Sequence, residues 1–309
     1  RTIHGVRLYS PNLRWLDFVS RGYYFLATDT PGLMRWMTDQ AADAGAEIRL
    51  GASYAGAVRS DVVVRVNRQQ IEGRFLVGCD GPRSSVARDF ALGRNTRFLT
   101  GVEGEFEGVE GVDDDRLHVF LDSSLAPGYI AWVVPGLGAT QVGLAARQPC
   151  VPRLGDFVKK LSRLFNFDRA QLIAKRGGLI PCGGPVRPFR RERVMLLGDA
   201  AGMVSPLTAG GIHPAMQLGR AAGIAISDYL LQSGPDPARL IRSLAPSFRF
   251  KRALRMLFDF APPNWLYDLA LSSRPMRNLA QTIFFHQRGL FSLQAWRDIL
   301  RLHPETPAA

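Results

Sequence analysis

Cysteine is scarce, acidic residues are outnumbered, and long apolar runs are missing; each shortage removes a class of protein. The three cysteines, Cys79, Cys150 and Cys182, lie far apart in 309 residues and form neither a CxxC pair nor a metal-ligand spacing. A disulfide scaffold and a metal site are therefore not expected, and the pattern suits a reducing compartment, most simply the cytoplasm. No window approaches the roughly 20 apolar residues needed to span a bilayer; the stretch Trp265–Leu271, for example, is broken by Asp268. A charged-then-apolar signal segment is also missing, as are internal repeats and low-complexity runs. The chain opens on Arg1 and passes at once into a strand-like stretch, Gly5–Tyr9, which reads as a cut end.

What is present is ample material for a core. Apolar residues make up 46% and charged residues 21%, which argues for two or three folded domains and against wholesale disorder. Lysine and arginine number 39 against 27 acids, a net charge of +12 carried almost wholly by arginine. That balance suits anionic partners such as nucleic acid, phospholipid head groups or a phosphorylated substrate, and equally a merely solvated arginine-rich surface. A nucleic-acid module would carry a recognition motif or aromatics interleaved in a basic stripe. Neither occurs, and no nucleic-acid partner is expected.

Residues 31–46 read as a helix, with Leu33, Met34, Met37, Ala41 and Ala44 at helical spacing, Pro31 in the first turn, Thr30 as cap and Gly45 as terminator. Short β-type runs at 62–66 and 70–77 flank the polar pair Asn67-Arg68 and form a hairpin. A short helix follows from Ser84 to Phe90. Between 96 and 147, alternating stretches such as Leu117–Leu121 and Trp132–Val134 are separated by turns with glycine and proline, the pattern of a meandering antiparallel sheet. Helix returns at 155–166 and at 213–232. Val194–Leu197 is wholly apolar and suits a buried parallel strand. The order is that of an α/β, two-domain α+β chain: a nucleotide-binding domain (29–95 and 179–235), an inserted antiparallel sheet (96–178, with 1–28), and a helical region from 236 to 309.

The segment richest in chemistry runs from Val194 to Gly223. An apolar strand ends at Gly198-Asp199, at the carboxyl edge where open α/β sheets bind ligands, and Asp199 is placed to accept hydrogen bonds from a polyol. Ala200, Ala201 and Gly202 let backbone approach a ligand closely. A loop containing Pro206 leads to Gly210-Gly211-Ile212, which opens a helix whose free N–H groups favour an anionic or electron-rich edge. Ala215, Gly219, Ala222 and Gly223 keep one helix face thin. A ligand-free glycine-rich turn is the alternative, but it does not require this whole order of features. A second element, Phe75–Arg88, repeats the plan: strand, Asp80-Gly81 turn, Ser-capped helix. Alone it would be an ordinary Asp-Gly turn.

Together these elements resemble the flavoprotein superfamily of p-hydroxybenzoate hydroxylase, and within it the geranylgeranyl reductase family. The resemblance implies an FAD-binding Rossmann-like domain in which Asp80-Gly81 lies near the flavin pyrophosphate and Gly198-Asp199 binds the ribityl chain. The family's Ser-Pro-Leu-Thr-Gly-Gly-Gly-Ile stretch is matched by Ser205–Ile212, with Ala209 replacing the first glycine. It implies that the Gly210, Gly211 and Ile212 amides face the N1/O2 edge of the flavin and stabilise its reduced form. The family's Pro-x-x-Tyr-x-Trp-x-Phe-Pro strand, associated with the lipid site, is matched by Pro127–Pro135, with Ile130 at the tyrosine and Val134 at the phenylalanine. Ile130, Trp132 and Val134 make one apolar face by strand periodicity, whereas Tyr129 has the other parity. Tyr129, Ile130, Trp132 and Val134 are the candidate substrate residues; the same face would also serve as plain core.

The departures are specific. Thr30 and Met34 stand where the family has the arginine and aspartate of Arg-x-x-Phe-Asp, so a phosphate contact is lost or supplied elsewhere. The Gly-x-Gly-x-x-Gly fingerprint is absent from these residues and expected upstream of Arg1, as is the cysteine proposed as proton donor in some family members; no catalytic residue is assigned. Residues 1–309 alone are accordingly expected to bind flavin weakly and to be inactive. The activity implied is reduction of carbon–carbon double bonds in an isoprenoid or other lipid-like substrate by hydride from reduced flavin, with NAD(P)H or a ferredoxin as electron donor. Two alternatives stay open: a flavin-dependent monooxygenase or halogenase, and a non-catalytic lipid- or membrane-binding protein.

From 238 onward, eleven Lys or Arg face four acids, interleaved with Phe248, Phe250, Leu254, Leu257, Phe258, Phe284, Phe285, Leu290 and Phe291. Such helices can lie on the inner face of an anionic membrane or pack as a cap on the core. The histidines His118, His213 and His286 are isolated; His213, beside the glycine-opened helix, is the only one near the candidate site.

Overall fold

A computed structural model describes residues 1–20, 22–58 and 62–272. Phe284, Phe285, Leu290 and Phe291 of the expected basic helical region lie outside the described residues, as does His286. Seven α-helices occur among the described residues: α1 (Thr30–Asp43), α2 (Ser85–Asp89), α3 (Leu154–Leu161), α4 (Ile212–Leu230), α5 (Pro237–Leu244), α6 (Arg249–Asp259) and α7 (Asn264–Ser272). The described residues divide into two units, one within 1–35, 101–177 and 259–272, the other within 36–100 and 178–258. The helical segment from 236 is thus shared between them.

The first unit is built on a seven-stranded sheet. Its order is Gln171–Pro181, Phe98–Glu107, Thr140–Arg147, Ala131–Pro135, Arg116–Phe120, Gly5–Tyr9 and Trp15–Val19. Hydrophobic alternation sets the register: along Ala131–Pro135, residues 131, 133 and 135 are buried while Trp132 and Val134 are half-buried. The buried parity packs with Phe120, Val142, Leu144 and the apolar face of α3, Leu154, Phe157 and Leu161. The meander expected from alternation is antiparallel at Arg116–Phe120/Ala131–Pro135 and at Ala131–Pro135/Thr140–Arg147. One pairing departs from it: Arg116–Phe120 runs parallel to Gly5–Tyr9. Alternation specifies which face a residue takes, not the direction of its neighbour.

His118 lies inside this sheet, fully buried, with Nδ1 3.1 Å from the Tyr9 hydroxyl and Nε2 3.3 Å from the Asp113 carbonyl. Burial disfavours the imidazolium and lowers its pKa to about 4. The unfolded chain therefore takes up a proton below about pH 6.5 that the folded chain takes up only near pH 4. Stability present above pH 6.5 is lost as pH falls through this window, by up to about 3 kcal/mol on linkage grounds. His118→Gln should flatten that part of the stability profile; urea titrations at pH 7, 5.5 and 4 would check it, and an unchanged slope would disprove it.

The second unit holds a three-stranded sheet, Arg190–Arg191, Val194–Leu196 and Leu76–Gly78, in which the last two are parallel, and a hairpin sheet of Tyr54–Ala57, Val63–Val66 and Gln69–Glu72. Val194, Met195 and Leu196 are all buried, as a strand covered on both faces requires. The hairpin turns at Asn67-Arg68, with Asn67 at φ +53°. Helix α4 buries Leu218, Ala222 and Ala225, and α5 buries Pro237, Ala238 and Ile241; of these, Leu218, Ala222, Ala238 and Ile241 share one core. The thin face expected of α4 is only half realised: a Cβ at Gly219 or Gly223 would meet nothing within 4 Å, because these residues sit about 100° around the helix from Leu218 and Ala222.

The start of α1 also differs from the expectation. Its cap is Asp29, not Thr30: Asp29 Oδ1 accepts from the Gly32 amide at 2.9 Å, and the Leu33 amide donates to the Asp29 carbonyl. Gly45 does end the helix at φ +91°, with Ala46 N–H donating to Ala41 and Gly45 N–H to Ala42.

Candidate functional site

Two neighbouring parallel strands end side by side, and their carboxyl ends carry the two aspartates singled out in the sequence. The Leu197 amide donates to the Gly78 carbonyl at 3.0 Å, so Gly78-Cys79-Asp80 and Leu197-Gly198-Asp199 leave the sheet together. This edge is where such sheets present backbone and loops to ligands.

The two aspartates are used differently. Asp80 Oδ2 accepts from the amides of Ser85 at 2.7 Å and Val86 at 3.1 Å, while Ser84 Oγ accepts from Ala87 at 2.9 Å. Asp80 is thereby spent on closing the start of α2, and Gly81 makes the turn at φ +84°. Asp199 is half-buried, and among the described residues its carboxylate receives no hydrogen bond and joins no ion pair. Desolvation raises its pKa above the ordinary carboxylate value, and no counter-charge offsets it.

Asp199 stands on a short 3₁₀ turn, Gly198–Ala201, bracketed by Gly198 at φ +56° and Gly202 at φ +64°. A Cβ built on Gly202 would lie 2.5 Å from both Asn95 Oδ1 and the Gly184 carbonyl. Only glycine fits there, for both sterics and backbone conformation. Pro206 is buried beyond this turn, and Ser205 orders the loop: its Oγ accepts from the Thr208 hydroxyl at 2.9 Å and its carbonyl from the Ala209 amide.

The loop delivers Gly210, Gly211 and Ile212 to the start of α4. Gly211 is the N-cap, no side chain caps the helix, and a Cβ on Gly211 would come 3.5 Å from Asp199 Oδ1. The structure thus brings the strand-tip carboxylate and the uncapped amide end of a 19-residue helix within contact of one another. Gly210 and Ile212 are exposed. His213 is exposed on the first turn of α4, and nothing further brings it into the site.

Asn95 is the residue that sequence reading missed. Its Nδ2 donates both to the Pro82 carbonyl at 3.0 Å and to the Asp199 carbonyl at 2.8 Å, tying the two strand-tip loops together. Its Oδ1 is buried without a hydrogen-bond partner among the described residues. No motif marks it, because its partners are backbone atoms 13 and 104 residues away.

Ala209, which replaces a family glycine, sits at φ +52°. An L-residue there carries a penalty of about 1–2 kcal/mol. Ala209→Gly is expected to stabilise the fold by about 1 kcal/mol, less the flexibility that glycine adds to the unfolded chain. Thermal unfolding measures this; a lowered midpoint would refute it.

In the other unit, Ile130, Trp132 and Val134 share the parity opposite to the buried Ala131 and Val133. Ile130 packs beside Val6, Leu8, Val119 and Leu271. The Trp132 ring lies against Gly143, where a Cβ would come within 2.5 Å of it, and its Nε1 donates to Glu103 Oε2 at 2.7 Å. Glu103 is itself bound by Arg176. Tyr129 precedes the strand, is buried, and follows the Gly128 turn at φ +75°; it does not join the Trp132 face. No metal-binding cluster occurs among the described residues. No helix among them is long and apolar enough to cross a membrane.

This architecture is that of the FAD-dependent oxidoreductases. Solved structures with the same fold include a geranylgeranyl bacteriochlorophyll reductase-like protein from Thermoplasma acidophilum (TM-score 0.76, 19% identity, 99% of this chain and 81% of that one). A flavin-dependent brominase also matches (TM-score 0.69, 15% identity, 97% of this chain and 80% of that one). At the level of sequence, the chain is 30% identical over 265 residues to digeranylgeranylglycerophospholipid reductase 2 of Methanothermobacter thermautotrophicus, covering 78% of this chain and 67% of that protein. The homologue from Methanopyrus kandleri is 30% identical over 236 residues, covering 70% and 58%. No family model matches the chain. The chain belongs to the geranylgeranyl reductase family of FAD-dependent oxidoreductases, and it spans 58–67% of the length of these two relatives.

Proposed function

We propose that this chain forms the flavin- and substrate-binding part of a reductase that saturates carbon–carbon double bonds of an isoprenoid or other lipid-like substrate. The observation that carries the reading is Asp199: a half-buried carboxylate, unpaired among the described residues, at a strand tip and against the uncapped start of α4. An unpaired buried acceptor beside free amides is what a polyol and an electron-rich ring edge would satisfy together. The groups present fit a flavin. Asp199 would accept from the ribityl hydroxyls, and the Gly210, Gly211 and Ile212 amides would meet the N1/O2 edge. Gly198, Gly202 and Pro206 would shape the turn, with Asp80 and Gly81 beside the pyrophosphate. FAD would supply hydride chemistry when bound, with electrons from NAD(P)H or a ferredoxin.

In this reading residues 29–95 and 179–235 form the flavin domain and 1–28 with 96–178 the substrate domain. Ile130, Trp132 and Val134, with Tyr129 nearby, line the isoprenoid site. The support for the substrate is that the relatives named above are reductases of a digeranylgeranyl glycerophospholipid. The test uses the protein with residues 1–309 in their natural chain, reduced without oxygen and mixed with a polyunsaturated isoprenoid lipid. Product two hydrogens heavier per double bond is expected. Oxygen uptake coupled to NAD(P)H oxidation, with oxygen or halogen inserted, would replace this reading by a monooxygenase or halogenase. A colourless protein that takes up no FAD would replace it by a lipid-binding protein.

Trp132→Ala should raise KM for a long isoprenoid about tenfold with kcat little changed, from loss of about 50 Å² of apolar contact at 25 cal/mol per Å². Steady-state kinetics would check this, and an unchanged KM would return Trp132 to the core.

A further inference from the structure

The second unit also contains a cavity of about 1000 Å³ between the 185–190 segment and the turn that joins α5 to α6. Five arginines line it: Arg187, Arg190, Arg242, Arg249 and Arg252. Among the described residues no aspartate or glutamate does. Phe189, Phe248 and Met203, all buried, supply an apolar floor.

The charge balance around the cavity is uneven. Arg190 is paired with Asp236, the N-cap residue of α5, and its Nε is buried without a hydrogen-bond partner among the described residues. Arg187, Arg242, Arg249 and Arg252 are exposed to solvent and enter no ion pair or side-chain hydrogen bond among the described residues. Four arginines that enter no ion pair among the described residues border one concavity, and like charges beside a low-dielectric wall reinforce one another's field. A solvated surface would spread such charges or intersperse acids. Convergence on a hollow favours a ligand with several ionised oxygens, which guanidinium forks bind in bidentate fashion.

We propose that this cavity binds the phosphoryl group of a phosphate or diphosphate ester. The phosphoryl oxygens take Arg242, Arg249 and Arg252, with Arg187 at the rim, and the Phe189–Phe248 floor accepts an apolar part of the ester. The arginines proposed to hold the phosphoryl group lie outside the Gly198–Ile212 flavin loop, although Met203 of the cavity floor belongs to it. Two sources share the chemistry: a soluble phosphate ester and the head group of a lipid in a membrane.

Calorimetric titration of the 309-residue chain with inorganic pyrophosphate should show one saturable site. Arg242→Gln/Arg252→Gln should weaken it about 10- to 100-fold, from loss of charge-assisted bonds, while Arg68→Gln on the exposed hairpin turn leaves it unchanged. On the unaltered protein, pyrophosphate should protect Arg242, Arg249 and Arg252 from phenylglyoxal but not Arg68, so the test survives a misfolded variant. Glycerol 3-phosphate competing with pyrophosphate, with no sedimentation on vesicles of equimolar phosphatidylcholine and phosphatidic acid, identifies a soluble ester. Sedimentation on those vesicles that the double variant abolishes, without such competition, identifies a lipid head group. Absence of saturable binding, or equal weakening by Arg68→Gln, overturns the proposal.

Discussion

Asp199→Asn is expected to weaken flavin binding about 10- to 100-fold and, in the same protein without flavin, to raise stability. The first effect follows from losing charge-assisted hydrogen bonds to ribityl hydroxyls, worth about 1.5–3 kcal/mol. The second follows from the raised pKa. A carboxylate whose folded pKa exceeds its unfolded value destabilises the fold once ionised, increasingly as pH rises above about 3.8 and levelling off above the folded pKa. Asparagine carries no such cost, so the gain should be seen at pH 7 and vanish below the ordinary carboxylate pKa. Fluorescence titration with FAD and urea unfolding at two pH values measure the pair. Opposite signs in binding and stability mark a residue kept for a ligand rather than for the fold. A variant that binds FAD normally, or one that loses stability, would remove Asp199 from the site.

Gly202→Ala is expected to cost about 3 kcal/mol of stability, a large share of what a domain has. The left-handed backbone contributes about 1–2 kcal/mol of this. Displacing the Gly184 carbonyl and the Asn95 amide, each 2.5 Å from the new Cβ, contributes about 1–3 kcal/mol. Gly81→Ala is the internal control. It has the same hand of backbone, φ +84°, but nothing within 4 Å of its Cβ, so only the conformational part, about 1 kcal/mol, should appear. Thermal or urea unfolding of the two variants separates strain from collision. Equal losses would mean that the packing of Asn95 against Gly202 adds nothing.

These two glycines show how far residue patterns reach. Gly81 directly follows Asp80 and Gly202 lies three residues after Asp199, yet their surroundings differ entirely. Asp80 and Asp199 are alike in the same way: each follows an apolar strand, but one is consumed in capping α2 and the other is left with no partner among the described residues. Asn95 makes the complementary point. It holds the loops together through two carbonyls and belongs to no recognisable string, because contacts to backbone leave no residue-type signature.

Short-range chemistry was readable directly. Wholly apolar Val194–Leu197 had to be a covered strand, and alternation at 131–135 had to set one face inward. A glycine at 45 had to end a helix, and the order of strand, aspartate, small residues and glycine-opened helix had to place a carboxylate near amides. All of these are set within about a dozen residues of chain, where backbone geometry largely fixes who faces whom. Strand direction was not readable: Arg116–Phe120 lies parallel to Gly5–Tyr9 across more than 100 residues, and an alternating pattern is the same read either way. Nor was the gathering of Arg187, Arg242, Arg249 and Arg252 around one hollow, since like charges scattered along a chain converge only when packing of α5 and the 185–190 segment brings them there. Local periodicity is a property of the covalent chain, whereas which remote groups share a dielectric and a cavity is settled by how the burial of apolar surface folds that chain back on itself.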